Sequence, residues 1–200
     1  STCYIYTVFY ALYTAVAGVS RVSESSRLEA AGFMVQEFTF SLPTTIAFGN
    51  GVVREIGTKA QPLGSRVLLA TGFKMARNSG ALDDIEEAFK SAGVPTVLFD
   101  EIEPQPSDQT LERAAEVART ERCDIVVGIG GECPLDSAKV IAALATNGGR
   151  IVEYLEDREF SSEPLASIAV PVTGGSGSEA TPFATVKVDS PRPALETVAS

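Results

Sequence analysis

Short apolar runs alternate with amphipathic stretches along most of this chain. The runs at 37–41, 66–71, 95–99, 125–129 and 167–172 have strand length, and several are rich in Val, Ile and Leu, as strands covered on both faces are. Between them the apolar period changes to that of a helix. Leu82, Ile85, Ala88 and Phe89 share one face of a stretch closed by Gly93, and Asp83, Asp84, Glu86 and Glu87 lie mostly on the other. Those acids read as a solvated face, not a metal site. Leu111, Ala114, Ala115, Val117 and Ala118 mark the next helix, which Ser107 can cap. Ala138, Ile141, Ala142 and Leu144 or Ala145 mark a third, with Pro134 at its first position, Asp136 in its first turn and Asn147-Gly148-Gly149 as its stop. Strand and helix in alternation predict an α/β fold of the Rossmann-like, doubly wound type, a mostly parallel sheet with helices on both faces.

Two strand ends run into glycine. The run at 125–129 meets Gly128-Ile129-Gly130-Gly131 and then a helix start, where unpaired N–H groups and the positive end of the helix dipole suit an anion such as a pyrophosphate. The run at 167–172 meets Thr173-Gly174-Gly175-Ser176-Gly177-Ser178-Glu179-Ala180-Thr181, whose backbone and hydroxyls can wrap phosphate, ribose or a carboxamide. A flexible linker would account for the second loop alone, and a tight turn for the first. Two such loops at strand ends of one alternating chain point to a nucleotide.

These segments resemble the iron-containing (group III) alcohol dehydrogenases. Residues 128–139, Gly-Ile-Gly-Gly-Glu-Cys-Pro-Leu-Asp-Ser-Ala-Lys, are similar to that family's Gly-x-Gly-Gly-Gly-Ser-x-x-Asp-x-x-Lys signature, and 171–181 to its Pro-Thr-Thr-Ala-Gly-Thr-Gly-Ser-Glu-Val-Thr segment. Residues 38–43, 46–51, 66–71 and Pro104-Gln105-Pro106 extend the likeness, which runs from about Glu37 to Asp189. The resemblance implies an N-terminal domain that binds NAD or NADP, within a two-domain, metal-dependent alcohol or aldehyde oxidoreductase. It implies that Gly130, Gly131 and Cys133 cradle the pyrophosphate, that Asp136 braces this loop, and that Thr173, Ser176 and Thr181 contact phosphate or the nicotinamide side.

Departures from the family pattern shape the expectations. The family holds iron or zinc through one Asp and three His of a helical C-terminal domain, whereas these 200 residues contain no His. That domain is expected to be absent from the chain, the metal to come only with it, and no catalytic or metal-ligating residue to lie here. Glu132 replaces a glycine of the signature. Facing a pyrophosphate at 4 Å it would meet about 4 kcal/mol of repulsion at an effective dielectric near 20, and facing water at the helix start it would be welcome. Gly72 stands where NAD-preferring relatives carry an Asp that binds the ribose 2′-OH. Its neutrality would tolerate a 2′-phosphate paired with Lys74 or Arg77; alternatively Gly72 only makes the turn.

Composition sets outer limits. Two hundred residues with 44% apolar content can bury one substantial core. A net charge of −10 without basic runs argues against nucleic acid and anionic membrane surfaces. Cys3, Cys123 and Cys133 have no scaffold or metal spacing and fit a reducing, cytoplasmic compartment. Residues 1–34 form a separate extension, apolar from Thr2 to Val19, and 35–200 the dinucleotide-binding domain. With no Lys or Arg ahead of the run and four tyrosines inside it, the extension is expected to be disordered or to add a strand or helix, not to act as a targeting signal. Two functions remain open: the cofactor domain of an alcohol dehydrogenase, partnered by dinucleotide, a small alcohol or aldehyde, and a metal-bearing domain or second copy; or a nucleotide-binding module, orphaned or truncated, without turnover.

Overall fold

The computed structural model describes residues 4–7, 44–72, 75–156, 158–188 and 194–199. Six strands, β1 (Tyr4–Thr7), β2 (Thr45–Phe48), β3 (Val67–Thr71), β4 (Thr96–Phe99), β5 (Ile125–Gly130) and β6 (Ala166–Pro171), form one sheet in the order β2-β1-β6-β5-β3-β4. Every pairing in it is parallel. The helices are α1 (Ile56–Ala60), α2 (Met75–Asn78), α3 (Ala81–Ser91), α4 (Asp108–Thr120), α5 (Glu132–Asn147) and α6 (Ile151–Glu156). A separate antiparallel pair, β7 (Phe183–Val188) and β8 (Ala194–Ala199), follows. Among the described residues no helix is long and apolar enough to cross a membrane.

Residues of β3 and β5 are buried throughout, so their side chains supply both faces of the sheet. Leu68, Ala70 and Val126 pack with Leu111, Ala114, Ile141 and Leu144 of α4 and α5. Val67, Leu69, Ile125, Val127 and Ile129 pack with Ile56, Leu82, Ile85 and Phe89 of α1 and α3 on the opposite face. Period-two alternation within each strand thus feeds two cores, which is the doubly wound arrangement. From β3 the chain winds outward to β4, then returns to β5 and winds the other way to β6, so strand order reverses between β3 and β5.

Four of the five sequence-predicted strands are present within one residue of their expected bounds; the fifth, 37–41, lies outside the described residues, as does most of the 1–34 extension. Tyr4–Thr7 of that extension forms β1, between β2 and β6. The β7–β8 pair was not expected, because its alternation falls after the glycine loop, where the βα rhythm had ended. One boundary also moves. The helix expected to start at Pro134 starts at Glu132, with Gly131 as its extended N-cap, and Pro134 occupies the third position, where its missing N–H still costs no intrahelical bond.

At the amino ends of β3 and β5, Asp124 ties the strands together. Its carboxylate accepts from the Ser65 N–H, the Ser65 hydroxyl and the Arg66 N–H, each at 2.8 Å. Burial pushes this carboxyl up, but the bonds from Arg66 and Ser65 outweigh it and hold it below its ordinary 3.8. Because the folded form has the lower value, the stabilisation is complete above the unfolded value and is lost as pH falls through the folded one. Asp124→Asn is therefore expected to cost about 1–2 kcal/mol at neutral pH and nothing extra in strong acid. Urea midpoints of both proteins, followed from neutral pH downward, should converge; parallel curves would contradict the assignment.

Helices α3 and α4 end in the same motif with different residues. After α3, Gly93 takes φ 71° and the Val94 N–H reaches the Phe89 carbonyl; after α4, Arg122 takes φ 54° and the Cys123 N–H reaches the Ala118 carbonyl. An exposed arginine in the left-handed region costs about 1 kcal/mol relative to glycine, so Arg122→Gly should raise the urea midpoint. A lowered midpoint would show that its side chain contributes more than its backbone conformation costs.

Candidate functional site

Ligands of open α/β sheets lie beyond the carboxyl ends of the strands where strand order reverses. Here that crevice is bounded by Thr71-Gly72 at the end of β3 and Gly130-Gly131 at the end of β5. The buried Thr71 hydroxyl donates to the Ile129 carbonyl at 2.9 Å and locks the two ends in register. Helix α5 rises from this point because Gly128 lets it sit directly on β5. A Cβ at Gly128 would lie 2.8 Å from Ala138 Cβ, 2.9 Å from the Pro134 carbonyl oxygen and 3.2 Å from Leu135 Cα.

The two glycine-rich segments found in the sequence meet. The Val172 N–H donates to the Gly130 carbonyl at 2.8 Å, and a Cβ at Gly131 would come within 2.9 Å of the Thr173 hydroxyl. Thr173 and Ser176 are exposed, and Ser176 accepts from the Ser178 N–H at 3.3 Å. No side chain caps the start of α5, in contrast to α4, where Ser107 accepts from Thr110 N–H. An uncapped sixteen-residue helix beside exposed hydroxyls is a setting that fits a pyrophosphate. Glu132 is exposed at the first helical position, and Cys133 is a partly buried free thiol beside it.

Asp136 and Thr181 fall in a second, adjoining cluster. The Asp136 carboxylate is buried; Oδ2 accepts from the Thr185 N–H at 2.9 Å and Oδ1 from Lys139 Nζ at 3.1 Å. Lys139 also donates to the Thr181 hydroxyl at 3.0 Å and to the Phe183 carbonyl at 2.8 Å. This pair thus bolts the first turns of α5 to the start of β7, on the far side of the glycine loop. Lys139 had no role assigned from the sequence, although its i,i+3 spacing from Asp136 was a legible signal.

Gly72 sits under a neighbouring loop. A Cβ there would lie 2.8 Å from the Ile102 carbonyl oxygen, and the Ile102 N–H donates to the Thr71 carbonyl at 3.1 Å. A side chain at this position needs the 100–102 segment to move, a constraint the sequence did not reveal. Arg77, one candidate for a 2′-phosphate, is ion-paired with Asp100 at 3.2 Å, and Lys74 lies outside the described residues. The following loop is held by Glu103, whose Oε1 accepts from the Ser107 N–H, the Ser107 hydroxyl and the Thr110 hydroxyl. Burial raises this carboxyl, and those bonds outweigh it to keep it below the usual range. Among the described residues no group of three His, Cys, Asp or Glu could hold a metal ion, so the family's metal does not fit them.

The chain is 31% identical over 153 residues to the NAD-dependent methanol dehydrogenase of Bacillus methanolicus, a match covering 76% of this chain and 40% of that protein. It is 35% identical over 159 residues to the choline dehydrogenase of Bacillus subtilis (strain 168), covering 76% and 39%. The solved NADH-dependent butanol dehydrogenase A of Thermotoga maritima superposes with a TM-score of 0.77 at 28% identity, covering 82% of this chain and 42% of that one. The chain therefore spans about 40% of the length of the curated relatives it matches. The family model for iron-containing alcohol dehydrogenase matches residues 43–195, which include both glycine loops and the crevice between them, and the chain belongs to that family.

Proposed function

We propose that this chain is the NAD(P)(H)-binding part of an oxidoreductase acting on a small alcohol or aldehyde. The observation that carries this reading is the uncapped start of α5 at the strand-order reversal, with Gly130 and Gly131 against the Thr173 loop. The N–H groups of Gly130, Gly131 and Cys133 would hold the pyrophosphate, and Thr173 and Ser176 would bind phosphate or the carboxamide side. Asp136 and Thr181 act from behind, fixing α5 against β7 so that the loop between them keeps its place. The nicotinamide supplies the hydride chemistry; these residues bind and orient it. A metal, were one supplied, would polarise the alcohol oxygen; the described residues do not hold it. Free Cys123 and Cys133 suit a cytoplasmic, reducing setting. The names of the relatives, an NAD-dependent methanol dehydrogenase and an NADH-dependent butanol dehydrogenase, support the same chemistry.

Fluorescence titration of the chain with NADH and NADPH tests it. Saturable binding is expected, loosened at least tenfold (about 1.4 kcal/mol) by Gly131→Val, which fills the cradle. Because Glu132 is exposed, Glu132→Gly should tighten binding only by about threefold. No binding of either dinucleotide by the chain or by Glu132→Gly would refute the proposal. A second reading, a nucleotide-binding module without turnover, is favoured by the absence of His from all 200 residues. Both readings predict dinucleotide binding; only the first predicts alcohol-dependent NAD(P)H formation when a metal-bearing domain of the family is supplied together with the chain and Fe²⁺ or Zn²⁺.

A further inference from the structure

At the carboxyl edge of β4 lies a pair of opposite charges outside the pyrophosphate cradle. Arg77 of α2 and Asp100, the residue after β4, approach to 3.2 Å, with side chains 52% and 34% exposed. Two residues beyond Asp100, Ile102 crosses the end of β3: its N–H bonds the Thr71 carbonyl, and its own carbonyl oxygen occupies the space beside Gly72. Thr71 in turn is bonded to the end of β5. A run of contacts thus connects the end of β5 to the segment that carries Asp100. Neighbouring strands lie about 4.8 Å apart, which puts β4 about 10 Å from β5. A dinucleotide with its pyrophosphate at α5 and its adenosine lying over β3 would bring its ribose toward this edge.

Recognition of an adenosine ribose in such folds uses an acid that accepts from the 2′-OH, or an arginine that meets a 2′-phosphate, from strand ends beside the crevice. Gly72 offers neither, and the Ile102 carbonyl leaves no room for a side chain there. The nearby Glu101 is already paired with Arg113 at 3.1 Å. We propose that the Arg77–Asp100 pair discriminates between a free ribose 2′-OH and a 2′-phosphate. This inference rests on the dinucleotide-binding reading above and adds its specificity. Asp100 accepts from the 2′-OH, repels a 2′-phosphate and keeps Arg77 occupied, so the chain favours NADH. A half-exposed ion pair is held weakly, whereas a guanidinium on a phosphate can bond through two N–H groups. Removing the Asp100 charge therefore turns Arg77 into a phosphate-binding group.

The experiment is the ratio of Kd values for NADH and NADPH, measured on the chain, Asp100→Asn, Arg77→Ala and the double variant. Because both side chains are substantially exposed, all four proteins should melt alike. Asp100→Asn is expected to move the ratio about tenfold toward NADPH, and the double variant to lose that gain. A ratio that stays within about twofold in Asp100→Asn, or a gain that survives loss of Arg77, overturns the inference while the dinucleotide-binding reading stands. Absence of binding by the unaltered chain overturns both.

Discussion

Asp136→Ala is expected to lower the free energy of unfolding by about 3–5 kcal/mol, the range for breaking a buried ion pair from one side. The pair is not itself a large source of stability, since desolvation offsets most of its attraction. The loss comes from what is left behind. Lys139, whose side chain is 14% exposed, would keep only the Thr181 hydroxyl and the Phe183 carbonyl as partners, with no counter-charge. The Thr185 N–H would lose its acceptor at 2.9 Å. Urea denaturation reads the change, and Asp136→Ala combined with Lys139→Met should recover part of it, because the orphaned charge is gone. A single-variant loss below about 1 kcal/mol would show that water replaces the carboxylate and that the cluster is not closed. Since the same bonds hold the start of β7 beside α5, dinucleotide affinity should also fall in the single variant under conditions where it remains folded.

Gly128→Val should destabilise by about 3 kcal/mol, the upper part of the range for overpacking a core. The side chain would enter the contact between β5 and α5, where two of its three nearest atoms, the Pro134 carbonyl oxygen and Leu135 Cα, belong to backbone. Backbone cannot swing aside as a rotamer does, so relief requires α5 to move away from the sheet. That movement carries the helix start away from Gly130 and Thr173, and cofactor affinity should drop by more than the stability change alone predicts for the folded fraction. Ala138→Gly in the same protein would relieve only one of the three contacts, at Ala138 Cβ, and should rescue little. Full rescue by Ala138→Gly would place the clash at the side chain and contradict this account.

Much of this molecule is written locally. The apolar runs ending in Thr71, Phe99 and Ile129, the amphipathic period around Leu82 and Phe89, and the Ser107 cap each follow from neighbouring residues, because hydrophobic period and capping act over a turn or a strand. The glycine loops were legible for the same reason, as was the exposure of Glu132 as one of two alternatives. The β7–β8 pair and the insertion of β1 between β2 and β6 were not, since strand pairing joins segments far apart in sequence. The helix start slipped by two residues because proline, though most frequent at the first position, also loses no intrahelical bond at the third.

The sequence by itself determined the doubly wound α/β class, the family and the two segments that line the crevice, because each is set by periodicity or by a contiguous motif. Only the tertiary structure decided which partners the motif residues take. Asp136 and Thr181 belong to the Lys139 cluster that joins α5 to β7, Gly72 lies under the Ile102 carbonyl, and Arg77 is bound to Asp100. Apart from the local Asp136–Lys139 spacing, those outcomes depend on partners 23 to 49 residues away along the chain, so no local pattern could specify them. Hydrogen bonds and ion pairs are chosen by what packing brings within about 3 Å, and packing is a property of the folded whole.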